Sequence, residues 1–266
     1  SWRTYTIDFA ILSPASDSRL TFFIGNGFPS GTVFHLDTLE LFPIVGPLVN
    51  DVGNIIFNNN SCGIRRWSVN NFTRSGEFCY DNGVVFLASY ANPATLFSEI
   101  ELAETRHIID ESGVSNATYD GLSLMFGAAH GIGGGSTSGI TIRNMEISYI
   151  GGGWLRGLPG FVRYGNGIEF WCSARDNLVE YNKIWQIYDT GLTSQCTTKN
   201  SVRNLTFRFN LIWKTIWAFE YWNNPANNAS LGSSDGITFE SNVLAFTGDS
   251  WSYSQRPDRS DFSICF

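Results

Sequence analysis

Two glutamates sit in similar company. Glu169 stands in "NGIEFWC", two residues before Trp171, and Glu220 stands in "WAFEYWN", two residues before Trp222. A pair of carboxyl groups is the usual equipment for general acid–base hydrolysis of a glycosidic bond, and tryptophan rings are platforms on which sugar rings stack. Around them are further groups able to bind or clamp a saccharide: His130 in "AAHGIGGG", Gln195 in "LTSQC", Asp189 in "IYDTG" and Arg256 in "SQRPD". Each also has a plainer reading. The glutamates are then solvent-facing charges, the tryptophans are covered by the loops that follow them, His130 is a hydrogen-bonded structural histidine, Asp189 caps a turn and Arg256 is solvated.

What could bring the two glutamates together is a repeat. "HGIGGGSTSGITIRNMEISYI", "NGIEFWCSARDNLVEYNKIW", "TGLTSQCTTKNSVRNLTFRFNLIW" and "AFEYWNNPANNASLGSSDGITFESNVLAF" share one layout: a glycine or small residue, a short apolar run, a polar bend, then a second run ending near an asparagine. "RHIIDESGVSNATYDGLSLMF" fits before them and "SWSYSQRPDRSDFSICF" after them. Strand-type units of about 20–35 residues signal stacked turns that share a core, because no unit can bury its apolar side alone. No amphipathic run of helical period competes with this.

Stacking turns sequence positions into columns. With Ile132, Ile168, Leu192, Phe219 and Trp251 as an inward column, the next residues form an outward one: Gly133, Glu169, Thr193, Glu220 and Ser252. Two positions on come Gly135, Trp171, Gln195, Trp222 and Ser254, and one further Cys172 lies over Cys196. Glu169 and Glu220 are thereby two turns apart, about 9–10 Å at the backbone, close to the carboxyl separation of about 6.5–9.5 Å in inverting glycosidases. A register slip of one residue would send both to the opposite face. Asn182, Asn210 and Asn242 fall at one bend of successive turns and are expected to form a structural amide ladder.

Composition agrees with an all-β chain. The 266 residues are 43% hydrophobic, 15% aromatic and only 15% charged, with 27 glycines. The net charge of −7 and the lack of a basic stripe argue against nucleic acid, although a local basic patch could override the overall repulsion of a polyanion. No apolar run is long enough to span a membrane. Five Asn-x-Ser/Thr sequons, at Asn59, Asn71, Asn116, Asn204 and Asn228, together with five cysteines, point to a secreted glycoprotein. Cys172 with Cys196, and Cys62 with Cys79, are the expected disulfides, leaving Cys265 over. No cofactor is expected: no Cys/His spacing suits zinc, "GIGGG" lacks the lysine and helix of a phosphate loop, and no Ser-His-Asp arrangement or nucleophile elbow is visible.

Two resemblances follow from particular stretches. "RLTFFIGNGFPSGTVFHLDTLEL" resembles the closing strands of a jelly-roll carbohydrate-binding module, which implies a partial β-sandwich over residues 1–46. "GITIRNMEIS", "NLVEYNKIW" and "GITFESNVL", with the hairpin-like "SGEFCYDNGVVFLASYANP", resemble the pectate-lyase-like superfamily. That resemblance implies a right-handed parallel β-helix, a solenoid, over residues 47–266, with a hairpin insertion near 66–105 and the repeat starting at Asn54. It is specific for fold and weak for reaction, since the scaffold hosts lyases, hydrolases, adhesins and fibre proteins. The expectation is a secreted, polysaccharide-processing glycoside hydrolase, with a lyase less favoured for want of clustered aspartates. The alternative is a non-catalytic extracellular protein that binds glycans or builds a fibre or coat, its open coil ends serving self-association.

Overall fold

The computed structural model describes residues 48–156, 158, 161–196, 201–223 and 234–256. The expected sandwich segment over residues 1–46, the sequon at Asn228, Cys265 and the "FSICF" end lie outside the described residues.

The described chain is all-β, and most of it is parallel sheet. Three parallel ladders carry the repeat. The first runs through Ile109–Asp110, Ile132–Gly134, Ile168–Phe170 and the later halves of Lys183–Cys196 and Leu211–Asn223. The second runs through Thr118–Asp120, Thr141–Arg143, Arg175–Glu180, Val202–Arg208 and Ser234–Glu240. The third runs through Ser123–Met125, Glu146–Ile150, the early halves of the two long strands and Val243–Ala245. Each pass of the chain contributes one strand to each ladder in turn.

The bends around the second and third ladders are unusually regular. Residues in the left-handed region recur five apart, three per pass: Asn116, Gly121 and Phe126; Gly139, Asn144 and Tyr149; Asp176, Tyr181 and Gln186; Asn204, Phe209 and Lys214; Gly236, Ser241 and Phe246. Twelve of these fifteen positions are not glycine, in a region that side chains generally avoid. The cost is met because a single such residue turns the chain sharply between short strands and so keeps every pass in register.

Inward columns fill the space between the ladders. Ile132, Ile168 and Leu192 stack in the first ladder, Ile142, Val179 and Phe207 in the second, and Ile147, Ile184 and Ile212 in the third; all nine are fully buried. At one bend Asn210 Oδ1 accepts the backbone N–H (3.0 Å) and Nδ2 (2.9 Å) of Asn182, and Asn242 Oδ1 does the same for Asn210 at 2.9 Å each. The amide ladder expected at this bend is therefore present, and it satisfies backbone groups that the turns would otherwise leave buried without partners.

Two expectations about the limits of the repeat are corrected. The three ladders begin at Ile109, not at Asn54: Val52–Phe57 pairs antiparallel with Ser61–Cys62 and with Ile100–Glu104, and the short parallel pair of Ile64–Arg65 with Glu77–Phe78 lies in a separate sheet. The cause is local, since Asn58 and Asn59, at φ 49° and 60°, form a tight reversal that can only join antiparallel neighbours. A second hairpin, Glu77–Asp81 with Val84–Leu87, closes on Asn82-Gly83 in the same way. At the other end, Trp251 and Ser252 do not extend the columns. After Val243–Ala245 the chain leaves the ladders; the Trp251 N–H bonds Gln186 Oε1 at 2.7 Å, and Ser252 Oγ donates to the Tyr188 carbonyl at 2.8 Å.

Candidate functional site

The outward column of the first ladder has the expected register. Gly133 pairs with Glu169, Glu169 with Thr193 and Thr193 with Glu220, while Gln195 pairs with Trp222. Both glutamates therefore lie on one wall two strand steps apart, about 9–10 Å at the backbone. The Trp171 and Trp222 rings lie nearly parallel, with centroids 6.3 Å apart.

The strand entering this wall is made thin by glycine. Gly131, Gly167 and Gly191 follow His130, Asn166 and Thr190, and a Cβ on any of them would lie 2.5–2.9 Å from the carbonyl oxygen of the next pass. The three preceding side chains consequently occupy one column, three residues ahead of Gly133, Glu169 and Thr193. From there His130 Nε2 reaches Glu169 Oε2 at 3.2 Å and Asn166 Nδ2 reaches the same oxygen at 2.7 Å. His130 Nδ1 accepts the Asn166 backbone N–H at 2.9 Å, which leaves the ring proton on Nε2, facing the carboxylate. His107 stacks on His130 at 4.7 Å and accepts its backbone N–H, and Tyr164 meets the same ring edge-on at 5.3 Å.

The two carboxyl groups are driven in opposite directions. Burial of Glu169 works to raise its pKa, but the facing His130, the Asn166 amide and His107 together bring it below the ordinary value. Glu220 is raised by burial and by the negative charges of Asp189 and Glu169, with Gln195 and Thr193 opposing; Gln195 Nε2 donates to Glu220 Oε2 at 2.6 Å. The two carboxyl groups of one wall thus differ in environment, Glu220 shifted toward its protonated form and Glu169 toward its ionised one.

Asp189 and Arg256 belong to the same neighbourhood but are tied to each other. Arg256 Nη1 lies 2.6 Å from Asp189 Oδ1, so the turn-capping reading of Asp189 gives way to an ion pair and Arg256 is not simply solvated. The wall is also less open than an outward column suggests, with Glu169 only 8% exposed and His130 6%. Asn166 and Tyr164 escaped sequence reasoning, whereas His107 in "TRHIID" reads from sequence as a structural histidine. The recurring His-Gly-Ile, Asn-Gly-Ile and Thr-Gly-Leu triplets held the signal for Asn166, whereas Tyr164 comes from the antiparallel pair Gly153–Trp154 with Arg163–Tyr164, outside the repeat.

Other residues singled out by sequence lie apart from this wall. Asn59, Asn71, Asn116 and Asn204 are all exposed, Asn116 and Asn204 at left-handed bends. Cys172 and Cys196 are both buried, two residues beyond the Phe170–Ser194 rung, but the expected disulfide between them is not formed. The expected link between Cys62 and Cys79 is absent, for these thiols sit in different sheets. Cys62 Sγ instead accepts Asn54 Nδ2 at 3.2 Å, and burial raises its thiol to about 11. Among the described residues no group of three or more His, Cys, Asp or Glu side chains is placed to hold a metal ion, and no helix is long and apolar enough to cross a membrane.

No protein family, curated protein or solved structure matches this chain.

Proposed function

We propose that this chain is a secreted, carbohydrate-active protein built as a right-handed parallel β-helix of the pectate-lyase-like kind, and that it hydrolyses a polysaccharide. The reading rests on one observation above all: Glu169 and Glu220 share an outward column two strand steps apart, beside the paired rings of Trp171 and Trp222. In this reading the sugar chain lies along the wall with rings against the tryptophans. Glu220, whose pKa is raised, serves as the acid and donates a proton to the leaving glycosidic oxygen. Glu169, ionised, takes a proton from a water that attacks the anomeric carbon from the opposite side. The spacing suits inversion, in which a water must fit between carboxyl and sugar. His130 and Asn166 position the Glu169 carboxylate, and Gln195 orients the carboxyl group of Glu220.

The test is reducing-end release from a panel of polysaccharides by the full chain and by Glu169→Gln and Glu220→Gln. Each variant is expected to lose at least two orders of magnitude of turnover while its circular dichroism and sugar affinity stay near wild type. Turnover that survives both substitutions excludes this pair. Exposure of Asn59, Asn71, Asn116 and Asn204 supports secretion through a glycosylating compartment, and peptide mapping of the native protein for N-linked sugar tests it.

A second reading has its own support. One oxygen of Glu169 already takes hydrogen bonds from both His130 and Asn166, and its side chain is only 10% exposed. A carboxylate so held suits a rigid glycan-binding or fibre-forming wall, where stacked passes could join further copies edge to edge. Saturable sugar binding with no turnover on any polysaccharide would decide for this reading.

A further inference from the structure

Behind the ion pair of Asp189 and Arg256 lies a cavity of about 430 Å³ whose lining includes five arginines, Arg65, Arg66, Arg74, Arg163 and Arg256, and no carboxylate. This is an unexpected concentration in a chain of net charge −7 with 17 Lys and Arg in all. The arginines come from far apart: the strand Ile64–Arg65 and the loop after it, the strand Arg163–Tyr164, and the segment after the last ladder strand. Their assembly is held by Gln255, whose Oε1 accepts both the Arg65 backbone N–H and Arg163 Nη1, each at 3.1 Å.

Counter-charges account for only part of the cluster. Asp51 pairs with Arg65, Glu77 with Arg66 and more loosely with Arg74, and Asp189 with Arg256. Among the described residues, five cations against three paired anions leave a surplus of two positive charges. Arg163 is the clearest case. Its three hydrogen bonds go to the Gly152 and Gly53 carbonyls and to the Gln255 amide, and no carboxylate lies within ion-pair distance among the described residues. Among the described residues, two of its five N–H groups are left for another acceptor. Beside these cations stand aromatic rings: Trp67 stacks on Phe161 at 4.6 Å, and the two side chains remain 37% and 52% exposed. Exposed paired rings next to uncompensated guanidinium groups match a sugar that is flat on one face and charged at its edge.

We propose that this cavity is a binding subsite for a saccharide unit bearing an oxyanion, a carboxylate or a sulfate ester, its ring against Trp67 and Phe161 and its charge toward Arg163 and Arg74. Arg256 both lines the cavity and pairs with Asp189, whose charge acts on Glu220, so the subsite adjoins the proposed hydrolytic wall. Its role as part of that substrate's path rests on the hydrolytic reading; anion binding by the cavity does not.

The test is calorimetric titration of the full chain with three tetrasaccharides: one carrying only carboxylates (tetramannuronate), one carrying only sulfate esters (carrageenan-derived) and one neutral (cellotetraose). At least one anionic probe should bind saturably, at least tenfold more tightly than the neutral one, and more weakly as salt is raised; which probe it is names the anion. Trp67→Ala and Arg74→Gln should each weaken that binding fivefold or more, and Arg163→Lys should do so if it folds. Arg74 is 64% exposed along its side chain, so its variant keeps the proposal testable whatever becomes of Arg163. Glu220→Gln should bind the anion as wild type does. Anion binding without turnover would overturn the hydrolytic reading and leave the subsite standing. No saturable anion binding, equal binding of the neutral probe, or affinity unchanged in a folded Arg74→Gln variant would each overturn the subsite.

Discussion

Replacing Asn210 by Ala tests the physical basis of the stack. The side chain is 1% exposed and makes four hydrogen bonds. It accepts the Asn182 N–H and Nδ2, and it donates to the Val179 carbonyl at 3.1 Å and to Asn242 Oδ1 at 2.9 Å. A buried hydrogen bond contributes about 1 kcal/mol net, and a buried group left without a partner costs about 1–3 kcal/mol. Alanine leaves the Asn182 N–H and the Val179 carbonyl inside the bend with nothing to replace their partner. The expected loss is therefore about 4 kcal/mol, corresponding to a fall in Tm of about 8–16 °C for a domain of this size. Urea unfolding followed by circular dichroism measures it, with Lys183→Gln as the control. Lys183 makes a surface ion pair with Glu146 at 2.9 Å, and its loss should cost less than about 1 kcal/mol. Asn210→Asp keeps the shape but turns an acceptor toward the Val179 carbonyl and Asn242 Oδ1, so its stability should fall as pH rises and the new carboxyl ionises. If Asn210→Ala costs no more than the Lys183 control, water reaches the bend and the amide ladder does not hold the passes together.

Glu111 is fully buried with neither carboxyl oxygen hydrogen-bonded among the described residues, and burial together with the charge of Asp110 raises it to about 8. Because the folded pKa exceeds the unfolded one, wild-type stability should decline by about 1.4 kcal/mol per pH unit as pH rises from about 4.5 to 8; calorimetry should find Glu111→Gln relieved of that decline, and parallel pH profiles would refute the assignment. If Glu220 is the acid, Asp189→Asn should shift the alkaline limb of the activity profile to lower pH, since it removes a negative charge that raises Glu220, and Gln195→Ala should shift it higher; unmoved limbs would assign the limb to another group.

Much of the wall could be read directly because parallel, in-register stacking converts distance along the chain into position in a column. Once Ile132, Ile168 and Leu192 were aligned by their glycines, the places of Glu169, Thr193, Glu220, Gln195 and Trp222 followed from strand alternation alone. The asparagine ladder was legible for the same reason: one residue type at one bend of successive passes. The left-handed corners were not, because Phe126, Tyr149 and Lys214 are residues that no turn preference would place there; ladder register imposes the conformation.

Only the tertiary structure decided what lies over the columns. Alternation says that Glu169 points away from the interior, but Tyr164 arrives from a hairpin outside the repeat and His130 from the preceding pass, and together they make an outward residue a buried one. The arginine cavity is farther still from sequence reasoning. Its contacts, such as that of Arg65 with Gln255, span 190 residues and join segments that share no period. A column is set by local repetition, whereas the charge and burial of a site depend on every segment that folds against it.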